Sequence, residues 1–253
     1  MAGGRYLSLR EWTTRMTRLA NPIPRRLAIV GPGRVGNALA RAFSDAGIEV
    51  EGPLRRGQLP GADIVLLCVP DAEITNAAAV LDARFVGHVS GATPLDAVDF
   101  GLHPLQTVTG PEASFAGCGC AIAGSTPEAL ELARGLALAA RMEPFEIDDS
   151  ARAAYHAAAS IASNFVVTLE WMAERVAAAA GIAPEDARRM LAPLVRQTVD
   201  NWADLGPQAA LTGPVARGDE LTVARQRKAI ADAAPDLLPL FDALVEQTKV
   251  VAA

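Results

Sequence analysis

The chain has 253 residues and a formal net charge of −6, with 51% hydrophobic and 21% charged side chains. That is enough apolar material for one large domain or two ordinary ones, and too much for a disordered chain. The acidic balance disfavours a nucleic-acid surface, and no apolar run approaches the roughly 20 residues that a membrane-spanning helix needs.

The first 25 residues carry Arg5, Arg10, Arg15, Arg18 and Arg25 against Glu11 alone. This segment is expected to be an unstructured or start-site extension: Met16 is a plausible second start, and Pro22 and Pro24 break any helix before the first strand. From Arg26 to residue 148 the pattern alternates strands with helices. "RLAIV" reads as a strand, "GPGRVG" as a turn and "NALARAFSDAG" as a helix ending at Gly47. "IEVEG" then reads as a strand, "ADIVLLCVP" as a buried central strand, "EITNAAAVLDA" as a helix and "FVGHVSG" as a further strand. "GLHPLQTV" predicts an extended segment and turn, and "GCAIAG" a strand. "TPEALELARGLALAA" predicts a helix capped by Thr126 with Pro127 at its first position, and "EPFEI" a last strand. From Asp149 onward only helices are expected, at about 149–180, 184–204, 219–233 and 235–251. The fold class is therefore an α/β Rossmann domain with a doubly wound, mostly parallel sheet over 26–148. An all-α domain is expected over 149–253.

Gly31-Pro32-Gly33-Arg34-Val35-Gly36 is a G-x-G-x-x-G that follows a strand and opens a helix, the context in which this pattern binds a dinucleotide. Gly31 permits the tight turn, Gly33 the approach of a pyrophosphate and Gly36 close helix–strand packing, while Arg34 and Val35 lie in the same turn. At the tip of the second strand, Glu51 would accept ribose hydroxyls and favour NAD, whereas Arg55 and Arg56 would pair with a 2′-phosphate; the two arginines favour NADP. Val69 and Pro70, and Ser90 and Gly91, end later strands and should border the nicotinamide half. Cys68 sits inside an apolar strand and reads as core. With Cys118 and Cys120 it makes three thiols that cannot all pair, in a spacing that suits neither zinc nor a CxxC redox motif. No metal is expected, and a reducing cytoplasm is the simplest compartment.

"YHAAASIASN", residues 155–164, inserts polar side chains into an alanine-rich helix. At about 100° per residue His156, Ser160 and Ser163 fall within roughly 60° of one another, with Arg152 just before them and Asn164 at the edge. Tyr155 falls on a different face.

The glycine turn, "GLHPLQTV", "YHAAASIASN" and "LTGPVARGDE" together resemble a family of Rossmann-like oxidoreductases whose second half is a domain of unknown function numbered 2520. The resemblance runs from about Leu27 to the C-terminus. More distantly the chain is similar to 6-phosphogluconate, β-hydroxyacid and ketopantoate dehydrogenases and pyrroline-carboxylate reductase, in which a Rossmann domain precedes helices and the substrate lies between them. The resemblance implies an NADP-dependent reductase of a small 2-oxo acid or related carbonyl, with ketopantoate the leading substrate and a homodimer formed through the helices. Two departures stand out. Ser160 occupies the place where the β-hydroxyacid group keeps a lysine four residues before the asparagine, and Gln226 replaces an expected histidine. The missing lysine favours the alternative of a non-catalytic NAD(P)-binding sensor or scaffold.

Reduction of a carbonyl needs a proton donor and a group for the acid end of the substrate. His156 is the first candidate acid, because an imidazole is the side chain that can give up a proton near neutral pH. His103 is the second, because prephenate-type dehydrogenases have a similar His-Pro near their chemistry. Ser160 and Asn164 complete the expected catalytic set. Arg217 reads as a carboxylate clamp, with Ser163 and Tyr155 as further substrate contacts, and Asp219 reads as a helix N-cap.

Overall fold

A computed structural model describes residues 26–253; the expected extension lies outside the described residues. The chain forms two compact units, the first running through Ser160 and the second covering Ile161–Ala253.

The first unit is built on a seven-stranded sheet. Strand β1 (Arg26–Val30) leads into helix α1 (Arg34–Asp45), followed by β2 (Glu49–Leu54) and β3 (Ile64–Leu67). A short 3-10 turn then precedes α2 (Ile74–Ala78), and β4 (Phe85–His88), β5 (Phe100–Pro104) and β6 (Gly119–Gly124) follow. Helix α3 (Pro127–Ala139) and β7 (Glu143–Glu146) end the sheet, and α4 (Arg152–Ser160) closes the unit. The strand order is β2-β1-β3-β4-β5-β6-β7, parallel throughout except for β5 against β6. The winding direction reverses beside β1, which is where open sheets of this kind leave a ligand crevice at their carboxyl edge.

Strand parity sorts the core onto the two faces. Leu27 and Ile29 of β1 and Ile64 and Leu66 of β3 pack on one side with Leu39 and Phe43 of α1 and Leu136 of α3. Ala28, Val30, Val65 and Leu67 pack on the other with Ile74 of α2 and Val86. All four residues of β3 are buried, as a central parallel strand requires. Thr126 caps α3 as expected, its hydroxyl accepting from the Ala129 N–H at 3.1 Å.

Two elements depart from the sequence pattern. The helix expected over "EITNAAAVLDA" stops at Ala78, because Leu81 and Ala83 turn back onto the core as the chain returns to β4. The helix expected over 149–180 is interrupted by a π-helical stretch, Ile161–Phe165. A π-turn widens the helix and changes the rotation per residue, so the uniform step that put Ser163 in register with His156 ends at Ser160.

After that stretch the second unit is helical: α5 (Val166–Ala179), α6 (Pro184–Leu205), the one-turn α7 (Pro207–Ala210), α8 (Glu220–Ala233) and α9 (Leu238–Ala252). Its own core is small, with Met172, Ile230, Ala234 and Leu237 buried. Two bidentate ion pairs, Arg175 with Asp236 and Arg227 with Asp242, tie its helices together. Asp219 caps α8, accepting from the Thr222 N–H at 3.1 Å, as its position predicts.

Candidate active site

The glycine turn joins β1 to α1. Gly31 has φ +114°, and a side chain there would place its Cβ 2.3 Å from the Cys68 carbonyl oxygen at the end of β3. At Gly36 a Cβ would lie 2.0 Å from the Gly31 oxygen. Both glycines therefore serve packing. Gly33 differs: nothing lies within 4 Å of the position its Cβ would take. It is the N-cap of α1 and supplies no capping side chain, so the first N–H groups of α1 keep their donors for an anion. Asn37 braces the turn from inside the helix, its amide donating to Pro32 O at 2.8 Å and Gly33 O at 2.9 Å. Arg34 is exposed, and Val35 packs against the core. An open glycine flank beside an uncapped helix start fits the pyrophosphate of a dinucleotide.

At the tip of β2 the two candidate discriminators have different commitments. Glu51 pairs with Arg26 at 3.0 Å and accepts from the Gly61 N–H at 3.0 Å. Arg56 is paired with Glu73. The exposed Arg55 side chain has no ion pair among the described residues, leaving its guanidinium open to an anion.

The carboxyl edge of β3, β4 and β5 gathers the remaining candidate residues of the sheet. Val69 packs beside Gly31, and Pro70 is exposed. Burial pushes the Cys68 thiol up to about 12, so it is a neutral core thiol at pH 7, as expected. Ser90 is buried and commits its hydroxyl: it donates to Asp71 Oδ2 at 2.8 Å and accepts from the Ala92 and Thr93 N–H groups. Its backbone N–H donates to Nδ1 of His88 at 3.2 Å. This makes Ser90 the hub of the turn that carries Gly91.

Gly91 is where the two candidate histidines meet. A Cβ on Gly91 would fall 2.9 Å from Nε2 of His103 and 2.9 Å from Cδ2 of His156. Only a glycine allows both rings to approach this backbone. The ring centroids of His103 and His156 are 6.0 Å apart. Tyr155 joins them: its hydroxyl is 2.6 Å from Nδ1 of His103, and its ring meets the His103 and Phe145 rings edge-on. Burial, with His156 and Arg152 adding positive charge, pushes His103 down to about 4. His88, buried and near Arg152, is lowered for the same reasons.

Arg152 is the residue that the helix pattern noted and did not place in the site. It is 2% exposed, and its Nε donates to Asp149 Oδ1 at 2.5 Å. Its Nη2 packs against Gly101 and is the one buried side-chain polar atom without a partner among the described residues. Asp149 Oδ2 accepts from the Leu95 N–H at 3.0 Å, which pins the start of α4 to the loop between β4 and β5. The i, i+4 spacing of Arg152 and His156 was the available sequence signal. His88 carried none, since a histidine inside an apolar strand reads as core.

Thus His103, Tyr155, His156, Ser90 and Gly91 come together within the first unit. Ser160 is the last residue of α4 and half-buried. Ser163, Asn164 and Arg217 belong to the second unit. There Asn164 lies in the π-helical stretch with its carbonyl accepting from the Thr168 hydroxyl, and Arg217 is exposed in the turn before Asp219. No cluster of residues suited to a metal ion occurs among the described residues.

No curated protein matches the chain in sequence. Its fold is shared with a candidate NADP oxidoreductase of Bacteroides fragilis (18% identity, TM-score 0.75, covering 89% of this chain and 98% of that one). It is also shared with a protein of Thermotoga maritima (23% identity, TM-score 0.71, 89% and 98% covered). A third similar structure is a reductive aminase of Aspergillus terreus in complex with NADPH and ethyl-5-oxohexanoate (16% identity, TM-score 0.62, 88% and 93% covered). The model of a family described as a domain of unknown function, DUF2520, matches residues 118–248, more than half of the sequence, and the chain belongs to that family.

Proposed function

We propose that the protein is an NADP-dependent oxidoreductase that reduces a small 2-oxo acid or related carbonyl, with ketopantoate the first substrate to test. The observation that carries this reading is the convergence of His103 and His156 on Gly91, with Tyr155 bonded to His103, at the sheet edge that also carries the glycine turn. The contacts between these parts are continuous: Gly31 packs on Cys68, and Asp71, just after β3, holds Ser90 beside Gly91.

The backbone N–H groups at the start of α1 bind the pyrophosphate. Arg55 takes the 2′-phosphate, a role supported by its free guanidinium and by the commitment of Glu51 to Arg26 and Gly61. The nicotinamide supplies the hydride when the cofactor is bound. His156 supplies the proton to the substrate oxygen, since His103 is held neutral by its surroundings. Ser160, which stands in place of a lysine, donates no proton in this scheme.

The test is to mix the protein with NADPH and ketopantoate and follow the absorbance of the reduced cofactor. Turnover on ketopantoate or another oxo acid supports the proposal. Tight NADPH binding without turnover on a panel of oxo acids and imines overturns it in favour of a dinucleotide sensor.

The second unit supports a homodimer. Phe165, Trp171, Leu194 and Trp202 are each more than half exposed, an apolar surface that a second copy would cover. Sedimentation of the protein at the mass of a monomer at micromolar concentration would refute that assembly.

A further inference from the structure

Tyr155 and His103 have two possible hydrogen-bond arrangements, and they leave opposite groups on the free edge of the imidazole. If the phenol donates to Nδ1, the ring proton must sit on Nε2, and that edge becomes a donor. If Nδ1–H donates to the phenol oxygen, Nε2 becomes an acceptor, and the phenol proton needs a second partner. Among the described residues the Tyr155 hydroxyl has no other hydrogen-bond partner. The imidazole nitrogen is also a far stronger base than a phenol oxygen, so the donor and acceptor strengths favour O–H to N.

The free edge is accessible. Among the described residues His103 Nε2 has no hydrogen-bond partner, yet the one buried partnerless side-chain atom among them is Arg152 Nη2; Nε2 therefore reaches the surface of the unit, over Gly91. The charged and titratable groups that face His103 are His156 and Arg152 on α4, Asp71 after β3 and His88 on β4. Arg152, His156 and His88 disfavour a second proton on the ring, and Asp71 opposes them. Burial raises the Tyr155 hydroxyl, which keeps its proton and remains a donor.

We propose that Tyr155 is a positioning residue that locks His103 as the neutral tautomer protonated on Nε2, making it a hydrogen-bond donor to an oxygen that gains negative charge. The assignment of that oxygen to a substrate carbonyl rests on the reductase reading above; the tautomer does not. A neutral N–H donor in the positive field of Arg152 stabilises a developing alkoxide, and it offers nothing to an iminium nitrogen, which has no lone pair to accept. The substrate class is thus a carbonyl compound rather than a protonated imine.

The chain has three histidines, so two-bond nitrogen–proton correlation spectra of the ¹⁵N-labelled protein resolve each ring. The expected result is a single Nε2–H tautomer for His103 in the wild type, assigned by loss of its signals in His103→Gln. Tyr155→Phe keeps the ring against Phe145 and removes one oxygen, and His103 should then exchange between tautomers. In that variant kcat on the carbonyl substrate should fall at least about tenfold, with NADPH affinity unchanged. A wild-type His103 protonated on Nδ1, or a Tyr155→Phe spectrum identical to wild type, overturns the proposal. Because the wild-type spectrum alone decides the tautomer, a misfolded variant does not shelter the idea. A locked Nε2–H tautomer in a protein that turns over no carbonyl would instead remove the reductase reading and leave the positioning role standing.

Discussion

The Tyr155 hydroxyl lies 2.6 Å from Nδ1 of His103, although the two residues are 52 positions apart and sit on a helix and a strand. The next residue along the helix, His156, brings its ring centroid to 6.0 Å from that of the same imidazole, and both rings crowd the face of Gly91 where a side chain would stand. Two consecutive helix residues can approach one ring because α4 is set against the strand edge, with Asp149 and Arg152 anchoring its start.

His156 should carry the proton. His156→Ala is expected to lower kcat by about 10²- to 10⁴-fold, with NADPH affinity within a factor of about two, as measured by steady-state kinetics and cofactor titration. An unchanged rate would transfer the acid role to His103.

Acid should destabilise the fold in a defined window. His103 falls from its ordinary value of 6.5 to about 4, so between these pH values the unfolded chain binds a proton that the folded chain refuses. Stability is then present in full above about pH 6.5 and is lost as the pH drops toward 4. His88, lowered in the same direction, adds to the effect. Thermal melts between pH 4 and 7.5 should show this slope, and His103→Gln should flatten it; equal slopes would contradict the burial of a neutral imidazole.

The glycine turn separates folding from binding. Gly36→Ala forces a Cβ against the Gly31 carbonyl and should cost about 1–3 kcal/mol of stability. Gly33→Ala meets nothing, so its melting temperature should match wild type while NADPH affinity falls by roughly tenfold or more. Calorimetry and cofactor titration on the two variants read the two effects. Loss of stability in Gly33→Ala would mean the open flank is not free.

Cofactor choice should rest on Arg55 more than Arg56, whose guanidinium already pairs with Glu73. Arg55→Ala is expected to weaken NADPH by about 10- to 100-fold and leave NADH nearly unchanged, since it removes one charge-assisted contact to phosphate. A uniform loss for both cofactors would place Arg55 outside the 2′-phosphate site.

The sequence alone determined the parts whose signal is local. The apolar runs of β1 and β3, the Thr126-Pro127 start of α3, the Asp219 cap and the glycine turn before α1 all follow from side-chain periodicity and backbone sterics. Each acts within a few residues, so each was legible. The absence of strands after β7 among the described residues was legible for the same reason.

Tertiary structure decided what depends on pairing at a distance. His103 reads in sequence as part of an extended segment before a turn; the parallel register of β4 and β5, Gly87 opposite Phe100, brings it to the edge that carries Gly91. Arg152 reads in sequence only as a polar residue just before the stripe; Gly101 gives its guanidinium room to be buried. The π-helical stretch after Ser160 broke a stripe that a fixed angular step had drawn too far. Periodicity measures how a residue faces its own element, whereas hydrogen bonding and burial between elements set which residues share a site and which imidazole stays neutral.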